Sequence, residues 1–215
     1  MKRMTFVPLV VAGVLVTASV AAAAVIVGTS GDDTLRGTED ADRISALAGN
    51  DLVHARAGGD DIRAGGGNDG VRAADGADVV YGGHGNDLIA GGDGADRLRG
   101  GSDSDQVNGG DGPDRASGNK GPDDVSGGEG DDSLFGGWGA DRVFGGSGND
   151  ELHALAPDGD VDLLQCGPGR DKAWILREER ARTQVVGCET IYVVVEVSPD
   201  QNEGENADAD TEADG

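Results

Sequence analysis

An aliphatic residue returns at every ninth position from Leu35 to Leu152. The series is Leu35, Ile44, Val53, Ile62, Val71, Val80, Ile89, Leu98, Val107, Val125, Leu134, Val143 and Leu152, with Ala116 the one small substitute. Two places before each stands an aspartate: Asp33, Asp42, Asp51, Asp60, Asp69, Asp78, Asp87, Asp96, Asp105, Asp114, Asp123, Asp132, Asp141 and Asp150. Glycine lies two places before the aspartate in every unit except those with Asp40 and Asp103. Three features in one phase define a repeated structural unit, present fourteen times from Gly28 to His153. The x-aliphatic-x triplet predicts a very short strand whose central side chain faces inward. Glycine at the first, second and fourth places lets the other six residues wrap tightly and aim carbonyls inward. Two units make an eighteen-residue coil with a strand on each side, so the expected fold is all-β, a parallel β-roll solenoid of about seven coils.

The units vary along the chain. Gly82–Ala90, Gly91–Arg99, Gly127–Phe135, Gly136–Phe144 and Gly145–His153 are regular, whereas earlier copies carry alanine first (Ala46, Ala55, Ala64, Ala73) and bulky residues such as Leu47 and Arg56 second. After His153 three residues, 154–156, are inserted, and two decayed units follow at 157–165 and 166–174, with Asp162 and Asp171 at the aspartate place. The charged stretch 177–182 is expected to form one or two helical turns, and the apolar run 185–197 a closing strand. Such a cap covers the open edge of the last coil.

Composition sharpens the problem. The chain of 215 residues has 40 glycines, 3% aromatics and a net charge of −24. So little apolar surface ordinarily leaves a chain disordered; a strict period indicates instead a repeat fold stabilised by something other than its core. Lys2 and Arg3 precede an uncharged apolar stretch, 5–27, with four alanines at 21–24. This predicts a secretory signal peptide over 1–24, hence a secreted, extracellular protein. An uncleaved membrane anchor is the competing reading, and only then is a membrane a partner. Cys166 and Cys188 are the only cysteines. In an exported chain they are expected to pair, closing a loop worth about 3 kcal/mol; two buried free thiols are the alternative. The expected organisation is leader 1–24, repeat roll 25–153, decayed repeats and disulfide-closed cap 154–197, and a disordered acidic tail 198–215.

In the expected stack, units n and n+2 lie one above the other and bring their aspartates together. Like charges at that spacing repel, unless a divalent ion lies between turns. Carboxylates and carbonyls without His or Cys suit a hard cation, and calcium accepts six or more oxygens flexibly. Eight of ten basic residues in the repeats (Arg36, Arg43, Arg63, Arg72, Arg97, Arg99, Arg115, Arg142) occupy outward strand positions, away from the turns.

The pattern G-G-x-G-x-D-x-(aliphatic)-x resembles the RTX, or haemolysin-type, calcium-binding nonapeptide repeat. The longer family signature is met by Asp87, Ile89, Gly94, Asp96, Leu98, Gly100, Gly101 and Asp105. The resemblance implies a β-roll with several Ca2+ ions between turns. Each would be held by carbonyls from the second and fourth places and the aspartate of one turn, and by carbonyls from the first and third places and the aspartate one coil later. One site would comprise Gly83, Gly85, Asp87, Gly100, Ser102 and Asp105; another Gly92, Gly94, Asp96, Gly109, Asp111 and Asp114; a third Gly128, Gly130, Asp132, Gly145, Ser147 and Asp150. The segment containing Cys166 to Asp171 and Cys188–Glu189 resembles the ends of small stand-alone secreted members.

Other chemistry finds little support. No HExxH or G-x-S-x-G motif occurs, and His54, His84 and His153 are scattered and expected to face solvent. Asp158, Asp160 and Asp162 begin like an EF-hand loop, but Leu163 stands where its glycine is required. A sequence pI near 4.1 disfavours nucleic acid. Tyr81, Phe135, Trp138 and Phe144 are expected on the outside of the rod, where isolated aromatics are commoner than glycan platforms. The expected function is calcium binding by a secreted, non-catalytic roll that folds as the ion arrives. A calcium-rigidified surface or matrix protein and a calcium-dependent carbohydrate-active solenoid enzyme are the alternatives.

Overall fold

The computed structural model describes residues 16–17 and 23–195; the expected acidic tail and most of the expected leader lie outside them. Twenty strands follow one another: β1 (Val16–Thr17), β2 (Val25–Val27), β3 (Thr34–Arg36), β4 (Arg43–Ala48), β5 (Leu52–Ala57), β6 (Asp61–Gly66), β7 (Gly70–Gly76), β8 (Val79–His84), β9 (Leu88–Gly94) and β10 (Arg97–Ser102). Then come β11 (Gln106–Asp111), β12 (Arg115–Lys120), β13 (Asp124–Glu129), β14 (Ser133–Trp138), β15 (Arg142–Ser147), β16 (Glu151–Ala154), β17 (Leu163–Gln165), β18 (Lys172–Leu176), β19 (Gln184–Val186) and β20 (Thr190–Val194). Odd and even strands form two separate ten-stranded parallel sheets, each in sequence order. Successive strands therefore alternate between sheets, and within a sheet each pairs with the strand one coil on, as Ile89 with Val107 and Val80 with Leu98. This is the expected parallel β-solenoid, with no helix among the described residues.

Most repeat strands are longer than the triplet expected. β8 runs six residues because its first three pair in register with β10 and its glycine-rich end continues the ladder, Gly83 against Gly101 and His84 against Ser102. The backbone alternates through the sixth, eighth and first places of successive units, so aspartate, aliphatic and the first-place residue all face inward. Ile44, Val53, Ile62, Val80 and Ile89 are fully buried, and so are Ala46, Ala55, Ala64 and Ala73. The alanines that make the early units irregular are thus extra core methyls, each worth about 0.8 kcal/mol.

Alternation ends where the second and fourth places take positive φ, as at Gly83 (116°) and Gly85 (102°). Leu47, Arg56, Ala74 and Asn119 hold φ between 80° and 89° at the second place, and Asp103 holds 79° at the fourth. An L-residue pays about 1–2 kcal/mol for that conformation; the neighbouring coils impose it.

The stack is longer than expected, about nine turns, because the irregular end keeps coiling. β17 and β18 take up registers with β15 and β16. The run from Val185 is not one closing strand: β19 joins the odd sheet and β20 the even one, around a corner at 187–189. Residues 177–182 form turns closed by Arg182 N–H to Glu179 O (2.8 Å) and Thr183 N–H to Glu179 O (2.9 Å), without a helix. Cys166 and Cys188 are disulfide-bonded, Cα atoms 5.2 Å apart, tying the core of one coil to the corner of the last.

His153 departs from expectation. It is buried, stacked on Phe135 (4.3 Å between centroids) and against Trp174 (5.9 Å), and burial lowers its pKa to about 4. Ninth-place side chains of one sheet align every coil, so consecutive rings cover one another; Phe135, expected on the outside, is enclosed in the same way.

Candidate metal centre

Strand ladders stop at the sixth place of each unit and leave that amide in need of an acceptor. The aspartate one coil later supplies it. Asp33 N–H donates to Asp51 Oδ1 (2.8 Å), Asp51 to Asp69 (2.7 Å), Asp69 to Asp87 (2.8 Å), Asp87 to Asp105 (2.8 Å) and Asp105 to Asp123 (2.7 Å). On the opposite edge Asp42, Asp60, Asp78, Asp96, Asp114, Asp132 and Asp150 repeat the arrangement. Two ladders of carboxylates thus run up the inside of the two edges.

Both ladders outlast the regular repeats. Asp141 N–H donates to Asp162 Oδ1, Asp150 N–H to Asp171 Oδ1, and Asp171 N–H to Glu189 Oε2 (2.7 Å). Glu189 therefore takes an aspartate's place, which sequence reading missed. Of the EF-hand-like trio only Asp162 enters a ladder; Asp158 instead accepts from Gly139 N–H at 2.7 Å and Asp160 N–H at 3.0 Å. A second, outer ladder was also missed. Asn50, Asn68 and Asn86, at the fifth place, accept from the coil above through Asn68, Asn86 and Ser104 N–H (2.7–2.9 Å). Its only signal was asparagine at an eighteen-residue spacing.

One oxygen of each carboxylate is used; the other is not. Oδ2 of Asp51, Asp60, Asp69, Asp78, Asp87, Asp96, Asp105, Asp114, Asp123, Asp132, Asp150 and Asp171 is buried without a hydrogen-bond donor. A buried carboxylate oxygen without a partner is costly. These oxygens also face other acceptors. A methyl built on Gly28 would meet Asp33 Oδ2 at 2.7 Å and the Ala46 carbonyl at 2.5 Å, and the same two groups crowd Gly82, Gly91, Gly109 and Gly127. In these units first-place glycine leaves room for both the carboxylate and the next coil's carbonyl.

The field follows from that crowding. Burial raises Asp87 to about 8, Asp105 and Asp114 to about 7, and Asp123 to about 9, against partial relief from the backbone N–H and with a further push from neighbouring carboxylates. Asp51, Asp60, Asp96, Asp150 and Asp162 are pushed to about 6 for the same reason. Each group lacks a donor or a cation, not a base. Among the described residues no cluster of three or more His, Cys, Asp or Glu side chains could hold a metal. Each carboxylate neighbours those of the coils before and after it, and the other oxygens beside it are backbone carbonyls, a donor set for a hard, oxygen-seeking cation.

The three residue sets implied by the sequence each join adjacent coils. Gly83 and Gly101 are in register, as are Gly92 with Gly110 and Gly128 with Gly146, so each set spans two adjacent coils on one edge. The model of the RTX calcium-binding nonapeptide repeat (four copies) matches residues 27–62, 54–89, 63–98, 81–116 and 117–152. No curated protein matches the chain.

Proposed function

The chain belongs to the RTX calcium-binding nonapeptide repeat family, whose model runs over residues 27–152, and from that premise we propose that it is a secreted, non-catalytic calcium-binding roll that completes its folding as the ions bind. The observation that carries the reading is the line of buried, donor-less Oδ2 atoms along both edges.

The ligands we assign are the two-coil sets above: Gly83, Gly85, Asp87, Gly100, Ser102 and Asp105, and the corresponding groups around Asp96 with Asp114 and Asp132 with Asp150. Calcium supplies the positive charge that two facing carboxylates lack. Its affinity then adds to folding stability by mass action, about 2.7 kcal/mol per site at a hundredfold excess over Kd. Where free calcium is scarce the carboxylates oppose stacking; where it is abundant they hold the coils together. Coils of eighteen residues, lengthened by no more than three near the C-terminal end of the stack, give little wall for a substrate cleft, which supports a role without catalysis.

Far-UV circular dichroism and calorimetric titration of the leader-free chain test this. We expect strand signal to appear with calcium, with several ions bound per chain and heat coupled to folding. A compact, cooperatively melting protein in metal-stripped buffer that gains nothing from calcium would refute the reading.

A further inference from the structure

The two ends of the stack differ. At the N-terminal end the first inward aliphatics, Ile26 and Leu35, are buried. At the other end both sheets stop at a free edge, β19 in the odd sheet and β20 in the even one. Ile191 and Val193 of β20 stand in register with Ala173 and Ile175 of β18, which are fully buried, yet are themselves 40% and 43% exposed. Tyr192, between them, lays one ring face on Trp174 (4.2 Å) and is also 40% exposed. The core therefore continues into the last coil and is left uncovered there.

β20 carries none of the usual guards against edge pairing. From Thr190 to Val195 the sequence is TIYVVV, without a charge, a proline or a glycine. Such an uncharged edge is a template for another strand. The chain's own continuation is not suited to cover it. Residues 198–215 include no Val, Leu, Ile, Met or aromatic residue, but do include Pro199 and seven acidic residues. A further coil needs an inward aliphatic on each sheet, and this segment has none.

We propose that the C-terminal end of the roll binds a second copy of this chain end to end, by antiparallel pairing of β20 with its two-fold mate. The strand is self-complementary about Tyr192. With Tyr192 opposite the partner's Tyr192, Ile191 faces the partner's Val193 and Thr190 faces the partner's Val194. Inward residues then meet inward ones and outward meet outward, as cross-strand pairing requires. One register covers Ile191 and Val193 of both copies, and a two-fold interface uses the same patch twice. The ring column of Phe135, His153, Trp174 and Tyr192 continues across it into the partner's column. Antiparallel pairing also sends the two acidic tails out at opposite ends of the interface, their Val195 residues roughly 20 Å apart. Head-to-tail stacking would instead oppose β20 to β2, whose Ile26 is already covered.

The test is sedimentation velocity of the full calcium-loaded chain over a wide concentration range, with circular dichroism to check the fold of each variant. An equilibrium that stops at the dimer is expected. A monomer at every concentration, or growth into longer polymers, overturns the proposal. Tyr192→Lys sets two ammonium groups opposite each other and should raise Kd about tenfold or more. Leu88→Lys, at an exposed position in the middle of the odd sheet, should leave Kd unchanged; equal effects of the two overturn the proposal. Register is read by cross-linking. Tyr192→Cys places two thiols within disulfide reach across the two-fold, whereas Thr190→Cys separates them by roughly 14 Å. Oxidation should join the chains of the first variant and not those of the second. Cross-linking of both, or of neither, overturns the proposal, and this readout decides should Tyr192→Lys fail to fold.

Discussion

Asp87→Asn should strengthen the ion-free protein while weakening its hold on calcium. In the folded chain Asp87 Oδ1 accepts from Asp69 N–H, and Oδ2 lies beside the Gly100 carbonyl without a donor. Burial raises its pKa from 3.8 to about 8. Near pH 7 the ion-free fold must therefore bind a proton that the unfolded chain releases. At 1.36 kcal/mol per pH unit, the interval from 3.8 to 7 costs about 4 kcal/mol. Coupling to Asp69 and Asp105 and local relaxation reduce this, so a gain of about 2 kcal/mol is expected. Asparagine keeps the Oδ1 acceptor, removes the charge, and can turn an N–H donor toward the Gly100 carbonyl. The assay is circular dichroism in metal-stripped buffer as pH is raised, beside calorimetric titration near pH 7. The variant should stay folded to higher pH than the parent and bind fewer ions or bind them more weakly. Equal destabilisation with and without calcium would refute the argument, since it would make the Asp87 charge a structural asset.

The raised aspartates also fix the sign of the pH response without metal. Their stabilisation of the ion-free roll is complete below pH 3.8 and is lost as pH rises through about 6 to 9. Acid should thus substitute for calcium in metal-stripped buffer, and an ion-free protein better folded at pH 9 than at pH 5 would contradict this. Gly91→Ala would set a methyl 2.6 Å from the Gly109 carbonyl and closer still to Asp96 Oδ2; we expect a loss of about 1–3 kcal/mol and a higher calcium requirement for folding. Ala64→Gly should cost stability without raising that requirement, so opposite behaviour of the pair in calcium-dependent circular dichroism would count against the packing argument. Replacing Cys166 and Cys188 by serine should cost about 3 kcal/mol. Because solenoid coils contact only their neighbours, hydrogen exchange should show lost protection from β17 onward and little change in β8 to β14.

Much of this molecule was legible from its sequence because each coil repeats the same local problem. Aspartate, aliphatic and glycine in one nine-residue phase determined parallel coils, the inward aliphatics and the one-coil spacing of the carboxylates. Departures from the pattern were less legible, because their meaning depends on the coil above or below. Ala46, Ala55, Ala64 and Ala73 look like worn glycines until inward alternation makes them core. Val185 and Ile191 look like one strand until the corner at 187–189 sends them to different sheets. His153 reads as an exposed residue until the eighteen-residue register sets it between Phe135 and Trp174. Glu189 takes an aspartate's place only because β20 pairs in register with β18 and so sets it level with Asp171. Local period determined what every coil must be; vertical register, decided only by tertiary stacking, set which side chains meet and hence where charge is left uncompensated.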